Sequence, residues 1–251
     1  MLRSMEELNG YVLAATDGEI GRCEDFLFDD GTWAVRYMLA NTGKWLPGRK
    51  VLISPISLGE PDWESRRFPV ALTREQVETS PTIEEHEPVS RQYEAELFSH
   101  LGYLPYWGDA GVWGPSSVPG HLRTDELEDQ AGVTVAIEPE GDPHLRSLDE
   151  VAGYRIDAED DEVGHVEDFI VDDEDWIIRY MVVDTRNWLP GGKVIVPPGW
   201  VEGFDWQKKT ASVSLTRQQI EDSPPFEAGA PVNRAYETRL YDYYGRPVYW
   251  D

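Results

Sequence analysis

The chain has 251 residues, and its 48 acidic residues against 22 basic ones give a formal net charge of −26 at pH 7. Such a charge repels nucleic-acid phosphates and anionic lipid headgroups, so it excludes sequence-independent binding to either and favours a partner with a basic surface. The hydrophobic content of 40% and the aromatic content of 12% suffice for folded cores and exclude disorder along the whole chain. No stretch reaches the roughly 18 apolar residues of a membrane-spanning helix, and the N-terminus lacks a signal segment. We therefore expect a soluble, cytoplasmic protein without stable membrane insertion.

One stretch of the sequence, Trp33 to Pro55, occurs again at Trp176 to Pro198, 143 positions later. The correspondence runs from Leu2-Arg3-Ser4 to Tyr106-Trp107 without insertion or deletion, and roughly 45% of the paired positions are identical. This pattern predicts two domains, residues 1–107 and 145–251, joined by an acidic linker of residues 108–144 that contains Gly and Pro. Within the linker only Val133–Ile137 has the character of a strand. Because duplicated units often reproduce an isologous dimer, we expect a pseudo-two-fold axis between the repeats; a homo-oligomer stays open.

Within each repeat, short apolar runs between turn residues predict five strands followed by two short helices. In the first repeat the predicted strands are Tyr11–Ala14, Ile20–Phe28, Trp33–Ala40, Val51–Ile56 and Phe68–Leu72. Pro47-Gly48 suits a type II turn. Thr73 and Gln76 form a capping-box pattern that opens the first helix, and Ser90–Leu101 has one apolar face for the second. Many short strands indicate a small barrel, so the predicted fold is mainly β, with two small β-barrels in tandem, each followed by short helices.

The charged residues of the second and third strands predict an ion pair in each repeat. If a four-residue loop joins these strands, Asp25 lies directly opposite Arg36, and the same count places Asp168 opposite Arg179. Directly opposed charges of opposite sign stabilise a sheet by ~0.2–1 kcal/mol. We therefore expect both pairs to have a structural role, holding the register of the hairpin.

Aromatic residues follow the second helix of each repeat, and they fall into two classes. Those that recur, Tyr106, Trp107, Tyr249 and Trp250, are expected to serve the fold. Those that differ between the repeats are Tyr103, Trp113, Tyr243 and Tyr244. Tyr and Trp offer a large contact area with a polar edge, so we expect this second class to be exposed and to dock a partner.

The sequence contains no pattern that predicts catalysis, a metal site or a cofactor site. The five histidines are not at metal-ligand spacing, and the acidic runs Asp157–Glu162 and Asp172–Asp175 lack the alternating ligands of a calcium loop. Glu24 and Asp25 are neighbours in a predicted strand, so they face opposite sides and cannot form a catalytic dyad by themselves. Cys23, the only cysteine, is predicted to be a buried structural thiol.

A set of residues spread over the whole repeat points to a known family. They are Gly10-Tyr11, Asp17 to Gly21, Asp25-Phe26, Trp33 to Tyr37, Trp45 to Gly48, Lys50 to Pro55, Leu72-Thr73 and Tyr93, with most repeated in the second copy. This pattern resembles the PRC-barrel family, named after the cytoplasmic domain of the photosynthetic reaction-centre H chain, which also includes a domain of a ribosome-maturation factor. The chain looks most like the soluble bacterial tandem members that are described as reaction-centre H-like. The resemblance implies the barrel fold and protein–protein docking more than any reaction.

These observations together predict a non-enzymatic protein–protein interaction or assembly module built from two PRC barrels. Two alternatives remain open. One is an accessory subunit of a membrane electron-transfer complex of the reaction-centre kind, which only the resemblance implies. The other is a small-ligand or cation-binding protein. The sequence names no particular partner, although its charge favours a basic one.

Overall fold

A computed structural model of the chain describes residues 1–43, 45–83, 89–107, 111–120, 144–185, 192–227, 229 and 231–250. The described residues are mainly β and form two sheets, neither of which closes into a barrel. The chain divides into two compact units. The first unit consists of Leu8–Ser147 and Glu174–Trp176, and the second of Met1–Glu7, Leu148–Asp173 and Ile177–Asp251.

The secondary-structure elements of the described residues follow nearly the same order in both repeats, and the second repeat has one additional strand, Val201–Asp205. The strands are β1 (Leu2–Ser4), β2 (Val12–Ala15), β3 (Gly18–Asp29), β4 (Val35–Asn41), β5 (Lys50–Ile53), β6 (Arg67–Pro69), β7 (Leu145–Ser147), β8 (Arg155–Asp157), β9 (Glu162–Asp172), β10 (Ile177–Asp184), β11 (Lys193–Val196), β12 (Val201–Asp205) and β13 (Thr210–Val213). The α-helices are α1 (Arg74–Glu78), α2 (Arg91–Leu101), α3 (Leu148–Val151), α4 (Arg217–Glu221) and α5 (Arg234–Tyr244). Short 3₁₀ turns occupy Glu6–Leu8, Pro55–Ser57 and Pro198–Trp200. The five strands predicted for the first repeat are present as β2 to β6.

The sheet of the first unit has the order β5-β4-β3-β2-β6, and β7 pairs with the end of β3. All neighbours are antiparallel except β2 and β6. β3 is the longest strand, and Gly21 lies within it at φ +135°. A Cβ at Gly21 would lie only 2.1 Å from the carbonyl oxygen of Asn41. Glycine therefore permits β3 and β4 to approach each other here.

The sheet of the second unit has the matching order β11-β10-β9-β8-β13-β12, and β1 pairs with β9. Gly164 takes the position of Gly21, with φ +126°, and a Cβ there would lie 2.3 Å from the carbonyl oxygen of Asp184. In the first unit the place of β12 is taken by two isolated bridges, Leu58 with Val70 and Asp62 with Arg67.

Each unit takes its first strand from the repeat that forms most of the other unit. β1, which begins the first repeat, pairs with Ile170 to Asp172 of β9. β7, which begins the second repeat, pairs with Leu27 to Asp29 of β3. The two strands have the same sequence, Leu-Arg-Ser. Because each pairs with the equivalent long strand of the other repeat, the exchange is reciprocal. The compact units therefore begin after the first strand of each repeat rather than before it.

The core of each unit comes from alternating apolar residues of the long strands. Ile20, Phe26 and Phe28 of β3 are almost fully buried, as are Val163, Phe169 and Val171 of β9. Cys23 is 2% exposed, which confirms that its thiol is buried.

Side-chain caps fix where the helices begin. Thr73 and Gln76 form a capping box at α1, and Thr216 and Gln219 form the same box at α4, as the sequence of the first repeat predicts. Ser90 accepts a hydrogen bond from the backbone of Tyr93 at the start of α2. The predicted strand Val133–Ile137 lies outside the described residues. No helix in the described part of the chain combines the length and the apolar character needed to cross a membrane.

Candidate interaction surface

Arg36 and Arg179, which the sequence placed in ion pairs, lie at equivalent β-bulges. β4 pairs with β3 at Val35 and at Tyr37, but the register shifts by one residue between them, so Arg36 is the extra residue of the bulge. The same shift surrounds Arg179 in β10. A bulge increases the local twist and re-aims the side chain of the extra residue, and such bulges are common next to functional sites.

The predicted pairing of Asp25 with Arg36 is wrong. The observed register places Asp25 opposite Leu39, and the carboxylate near Arg36 is that of Asp29, with 3.7 Å between Oδ2 and Nη2. The prediction assumed a four-residue loop and an unbroken ladder. Instead Trp33 adopts φ +60° after the loop, and the bulge at Arg36 adds a further residue.

The second repeat shows the same correction. Asp168 lies opposite Val182 rather than Arg179, and Oδ2 of Asp172 is 4.0 Å from Nη2 of Arg179. Asp168 accepts hydrogen bonds from Oγ of Ser4 at 2.6 Å and from the backbone amide of Phe169 at 2.7 Å.

Asp25 has the equivalent surroundings in the first unit. It accepts from the hydroxyl of Ser147 and from the backbone amide of Phe26. Both aspartates therefore anchor the exchanged strands instead of holding the hairpin register.

A buried carboxylate, Glu94, joins α2 to the sheet of the first unit. It is fully buried and accepts hydrogen bonds from Oη of Tyr37 at 2.8 Å and from Oη of Tyr106 at 2.6 Å. Nη1 of Arg91 is 2.6 Å from its second oxygen. Burial raises the pKa of Glu94, although these three donors favour its ionised form. Burial also lowers the pKa of Arg36.

Arg36 is enclosed between two aromatic rings of the first unit. The carbon of its guanidinium lies 3.8 Å from the ring centre of Tyr106 and 4.9 Å from that of Trp113. Its Nη1 donates to the carbonyl oxygen of Val112 at 2.5 Å, and Nε1 of Trp113 donates to the carbonyl oxygen of Asp175 at 2.7 Å. Desolvated arginine–aromatic contacts of this kind contribute about 2 kcal/mol or more. The segment around Val112 and Trp113 thus covers the arginine.

The second unit contains the equivalent cluster, 143 positions later. Glu237 is 2% exposed and accepts from Oη of Tyr180 at 2.7 Å and from Oη of Tyr249 at 2.8 Å. Nη1 of Arg234 lies 3.2 Å from Oε2 of Glu237. The guanidinium of Arg179 lies 4.7 Å from the ring centre of Tyr249.

The two clusters differ in exposure. Tyr106 is 6% exposed, whereas its counterpart Tyr249 is 38% exposed. The side chain of Arg36 is 2% exposed, whereas that of Arg179 is 19% exposed. The tyrosine and the arginine of the second cluster are therefore more exposed than their counterparts in the first unit. We call Arg179, Arg234, Tyr249 and Trp250 the arginine–aromatic face.

The arginine–aromatic face continues into a series of aromatic rings in contact with one another. This aromatic ladder consists of Tyr243, Tyr244, Trp200, Tyr241, Trp250 and Tyr249, with neighbouring ring centres 4.4 to 6.3 Å apart. Its two ends are exposed, Tyr243 to 41% and Tyr249 to 38%, while Tyr241 in the middle is buried. Burial raises the pKa of Tyr241 to about 12, so its hydroxyl stays protonated at neutral pH.

The four residues predicted to dock a partner have different surroundings. Tyr103 and Trp113 are each 5% exposed, so the expectation that they lie on the surface is wrong. Oη of Tyr103 is 2.6 Å from Oγ of Ser57, and Trp113 covers Arg36. Tyr243 is exposed as predicted, and Tyr244 is half-buried with its ring centre 4.4 Å from that of Trp200.

A groove of about 500 Å³ lies in the first unit beside β2, β3 and the end of β4. Arg22, Glu24, Asn41 and Trp45 are among the residues that line it. Glu24 is 2.7 Å from Nζ of Lys50 and accepts from Nδ2 of Asn41 at 2.8 Å. Burial opposes ionisation of Glu24, but these two donors outweigh it and hold its pKa below the ordinary value.

The described histidine and acidic side chains do not gather into a metal site. Within the described ranges, no group of three or more His, Cys, Asp or Glu side chains could hold a metal ion. His100 is exposed and contacts the backbone oxygen of Gln76 at 3.0 Å. His86 and His121 lie outside the described residues.

Sequence reasoning did not single out the carboxylates at the centre of the two clusters. Glu94 and Glu237 recur at the repeat spacing, each on the face of a helix that also carries buried apolar residues. A charged residue that recurs on an apolar helix face is the signal that could have indicated them.

Comparison with known proteins adds no assignment. No model of a protein family matches the chain, and no curated protein matches it. Function is therefore inferred from the residues of the chain and their geometry.

Proposed function

We propose that the chain is a non-enzymatic protein-interaction or assembly module, and that the aromatic ladder of the second unit is its docking surface. The observation that carries this proposal is the exposure of both ends of the ladder, Tyr243 and Tyr249. Tyrosine and tryptophan dominate the energetics of protein interfaces because they bury much area and lose little side-chain entropy. Two rings of the ladder, Trp200 and Tyr241, are buried and pack against the exposed ones, so the ladder is already ordered before a partner arrives.

The charge of the chain supports a basic partner. A net charge of −26 attracts a positively charged surface over long distances and increases the rate of encounter. Because salt screens such attraction, the association rate of a basic partner should fall as ionic strength rises.

We also propose that each repeat is a variant of the PRC-barrel fold. The gapless repeat and the order of five strands followed by short helices support this. The bridge between Leu58 and Val70, which joins the chain after β5 to the chain after β6, is consistent with a barrel that is only partly closed.

The docking surface can be tested by capture of partners with matched variants. Tyr243→Ser and Tyr249→Ser remove the exposed rings, and Val118→Ser removes an exposed apolar residue of the first unit as a control. We expect at least tenfold weaker capture by the double Tyr243→Ser/Tyr249→Ser variant than by the native chain, which corresponds to about 1.4 kcal/mol. The control should capture partners normally. Normal capture by the double variant, with an unchanged melting temperature, would show that the ladder is not the docking surface.

The groove beside β3 supports a second candidate function, the binding of a small ligand. Its volume of about 500 Å³ falls within the ~300–1,000 Å³ of ordinary ligand pockets. Arg22 and Asn41 supply polar groups beside the indole of Trp45. A ligand that binds there should raise the melting temperature in proportion to its concentration. Arg22→Gln should abolish that rise, and an unchanged rise in this variant would place the ligand elsewhere.

A further inference from the structure

One row of side chains runs across the solvent-facing side of the sheet in the first unit. The strand register aligns five residues, one each from β5, β4, β3, β2 and β6: Lys50, Asn41, Arg22, Val12 and Arg67. Their neighbours along the strands, such as Leu13, Cys23 and Phe68, are buried, so the row itself points away from the core. Three cations therefore share one row, in a chain whose net charge is −26.

Among the described residues, only the central cation of this row lacks a carboxylate partner. Lys50 and Arg67 each pair with a glutamate, at 2.7 and 2.8 Å. Arg22 instead donates from Nη1 to the carbonyl oxygen of Gly10 at 2.8 Å, which leaves most of its N–H groups for a ligand. Uncompensated positive charge thus remains at the middle of the row.

A second arginine, Arg66, lies beside the same turn. Its Nη2 donates at 3.2 Å to the carbonyl oxygen of Asn9, the residue before Gly10, and its guanidinium carbon is 5.1 Å from the ring centre of Tyr11. In the part of the chain that the structure describes, Arg66 has no carboxylate partner either, and both arginines are exposed. Two consecutive carbonyl groups therefore hold two guanidinium groups that are available to an anion.

The groove beside β3 adds apolar surface next to these charges. Arg22 is one of its lining residues, and Val12 and the half-buried indole of Trp45 are others. Gly21 and Gly43 also line the groove and put no side chain into it. A charged end beside an apolar wall fits a small organic molecule better than it fits a bare ion.

We propose that this groove binds a small organic anion, whose carboxylate or phosphate group is held by Arg22 and Arg66 and whose apolar part lies against Val12 and Trp45. A planar guanidinium can donate two parallel hydrogen bonds to the oxygens of either group, which gives geometric specificity as well as affinity. The inference rests on the proposed ligand-binding role of the groove and names the chemical class of its ligand.

The second unit lacks this pair of guanidinium groups. His165 and Lys209 stand at the positions of Arg22 and Arg66, and neither offers the forked donors of arginine. We therefore expect the anion to bind the first unit. The net charge of −26 opposes an anion over long distances, but at 0.15 M salt that field is screened beyond about 8 Å, so the contacts with the two arginines decide binding.

The probes are phenylacetate, phenyl phosphate and the neutral phenylacetamide, each titrated into the full-length ¹⁵N-labelled chain in 0.15 M NaCl. Arginine Nε and tryptophan Nε1 shifts report binding. We expect the anions to shift Arg22, Arg66 and Trp45, and phenylacetamide to bind about tenfold more weakly or less. The tighter of the two anions identifies the charged group as carboxylate or phosphate. Equal binding of phenylacetamide and the anions, or no shift with either anion, would overturn the proposal.

Three variants separate recognition from a general effect of charge. Arg22→Gln and Arg66→Gln each remove one set of forked donors and should weaken binding of the tighter anion about fivefold or more. Arg239→Gln is the matched control, because it removes the same charge and, like Arg66→Gln, an arginine–tyrosine contact, but from an exposed position on α5. It should leave binding unchanged. Equal weakening in all three variants would overturn the proposal.

The proposals fail in different ways. A neutral ligand that raises the melting temperature of the native chain but not of Arg22→Gln would keep the groove as a ligand site and overturn only the anion. The double Tyr243→Ser/Tyr249→Ser variant should bind the anionic probes normally, whatever its capture of partners, so the docking surface is tested independently.

Discussion

Two buried glutamates, Glu94 and Glu237, organise the side chains around them. Glu94 has no contact with water, yet three donors surround it, and Glu237 has the same environment in the second unit. A buried carboxylate with several donors specifies the position of every group that reaches it. Each of the two glutamates fixes one tyrosine of the sheet, one arginine of its own helix and one tyrosine that follows the helix. The arginine–aromatic face depends on that third contact.

Replacing Glu94 by glutamine should change the dependence of stability on pH. Because burial raises the pKa of Glu94 above its ordinary value of 4.5, the folded chain holds this proton more tightly than the unfolded chain does. At pH values between 4.5 and the raised pKa, unfolding therefore releases a proton. The free energy of unfolding falls as the pH rises through this window.

The Glu94→Gln variant should lack this fall with pH. Its free energy of unfolding should also be about 1–3 kcal/mol lower, because hydrogen bonds to the carboxylate are broken. Urea titrations between pH 4 and pH 8 measure both effects. The difference in unfolding free energy between native chain and variant should shrink as the pH rises from 4.5 to the raised pKa and should then stay constant. A difference that grows with pH would contradict the assignment.

Gly21 is a second residue whose identity is set by its surroundings. Alanine at this position would place a Cβ 2.1 Å from a backbone oxygen and would require φ +135°. We expect Gly21→Ala to lose at least ~2 kcal/mol of unfolding free energy. Gly199→Ala is the control, since it meets nothing within 4 Å. Equal melting temperatures for the two variants would show that β3 and β4 can separate at this point.

At the scale of elements, the exchanged strands β1 and β7 are the main feature. Each has only three residues, and backbone pairing of that length contributes little by itself. Additional side-chain contacts hold each strand in place. Ser4 donates to Asp168 and Arg3 pairs with Asp173, and the same two contacts recur between β7 and β3.

This arrangement predicts that a change near the N-terminus affects the sheet formed by the second repeat. Ser4→Ala removes a donor from Asp168, whose pKa burial already raises, so it should destabilise the pairing of β1 with β9 by about 1–2 kcal/mol. Hydrogen exchange should become about tenfold faster at Ile170 to Asp172 and stay unchanged at Leu27 to Asp29.

Ser147→Ala is the reciprocal variant, because Ser147 donates to Asp25 in the first unit. It should reverse the pattern, with faster exchange at Leu27 to Asp29 alone. If Ser4→Ala instead increased exchange in β3, the strand pairing would be the wrong way round.

At the scale of the whole molecule, net charge opposes the folded state. A formal charge of −26 on 251 residues produces electrostatic repulsion. This repulsion is stronger in the folded chain than in the unfolded chain, because the charges are closer together. Salt at 0.5 M shortens the screening distance to well below the ~10 Å of 0.1 M salt, so it should reduce this repulsion.

We therefore expect the melting temperature to rise between 0.05 and 0.5 M NaCl, in contrast to a protein held together by surface ion pairs. Calorimetry at several salt concentrations measures the trend. A melting temperature that falls with salt would show that ion pairs such as Arg67 with Glu19 and Arg217 with Asp161 outweigh the net repulsion.

Sequence reasoning found the features that depend on neighbouring residues. The duplication, the five strands of the first repeat and the capping boxes of α1 and α4 are local patterns, because strand alternation and helix capping involve residues a few positions apart. The burial of Cys23 followed from the same kind of reasoning. Recurrence at the repeat spacing also marked Tyr106, Trp107, Tyr249 and Trp250 as residues that serve the fold. Tyr106 is buried, but Tyr249 is 38% exposed even though its hydroxyl donates to Glu237.

The tertiary structure decided the features that depend on distant parts of the chain. The turn at Trp33 and the bulge at Arg36 together shift every later pair in the ladder, so no count along the sequence could place Asp29 rather than Asp25 beside Arg36. Which sheet receives β1 depends on competition between two nearly identical edges, which the sequence describes equally well. Trp113 is buried through contacts with distant residues, the guanidinium of Arg36 and the carbonyl oxygen of Asp175. Tyr249 is 38% exposed whereas its counterpart Tyr106 is 6% exposed, a difference that the recurrence in the sequence does not show.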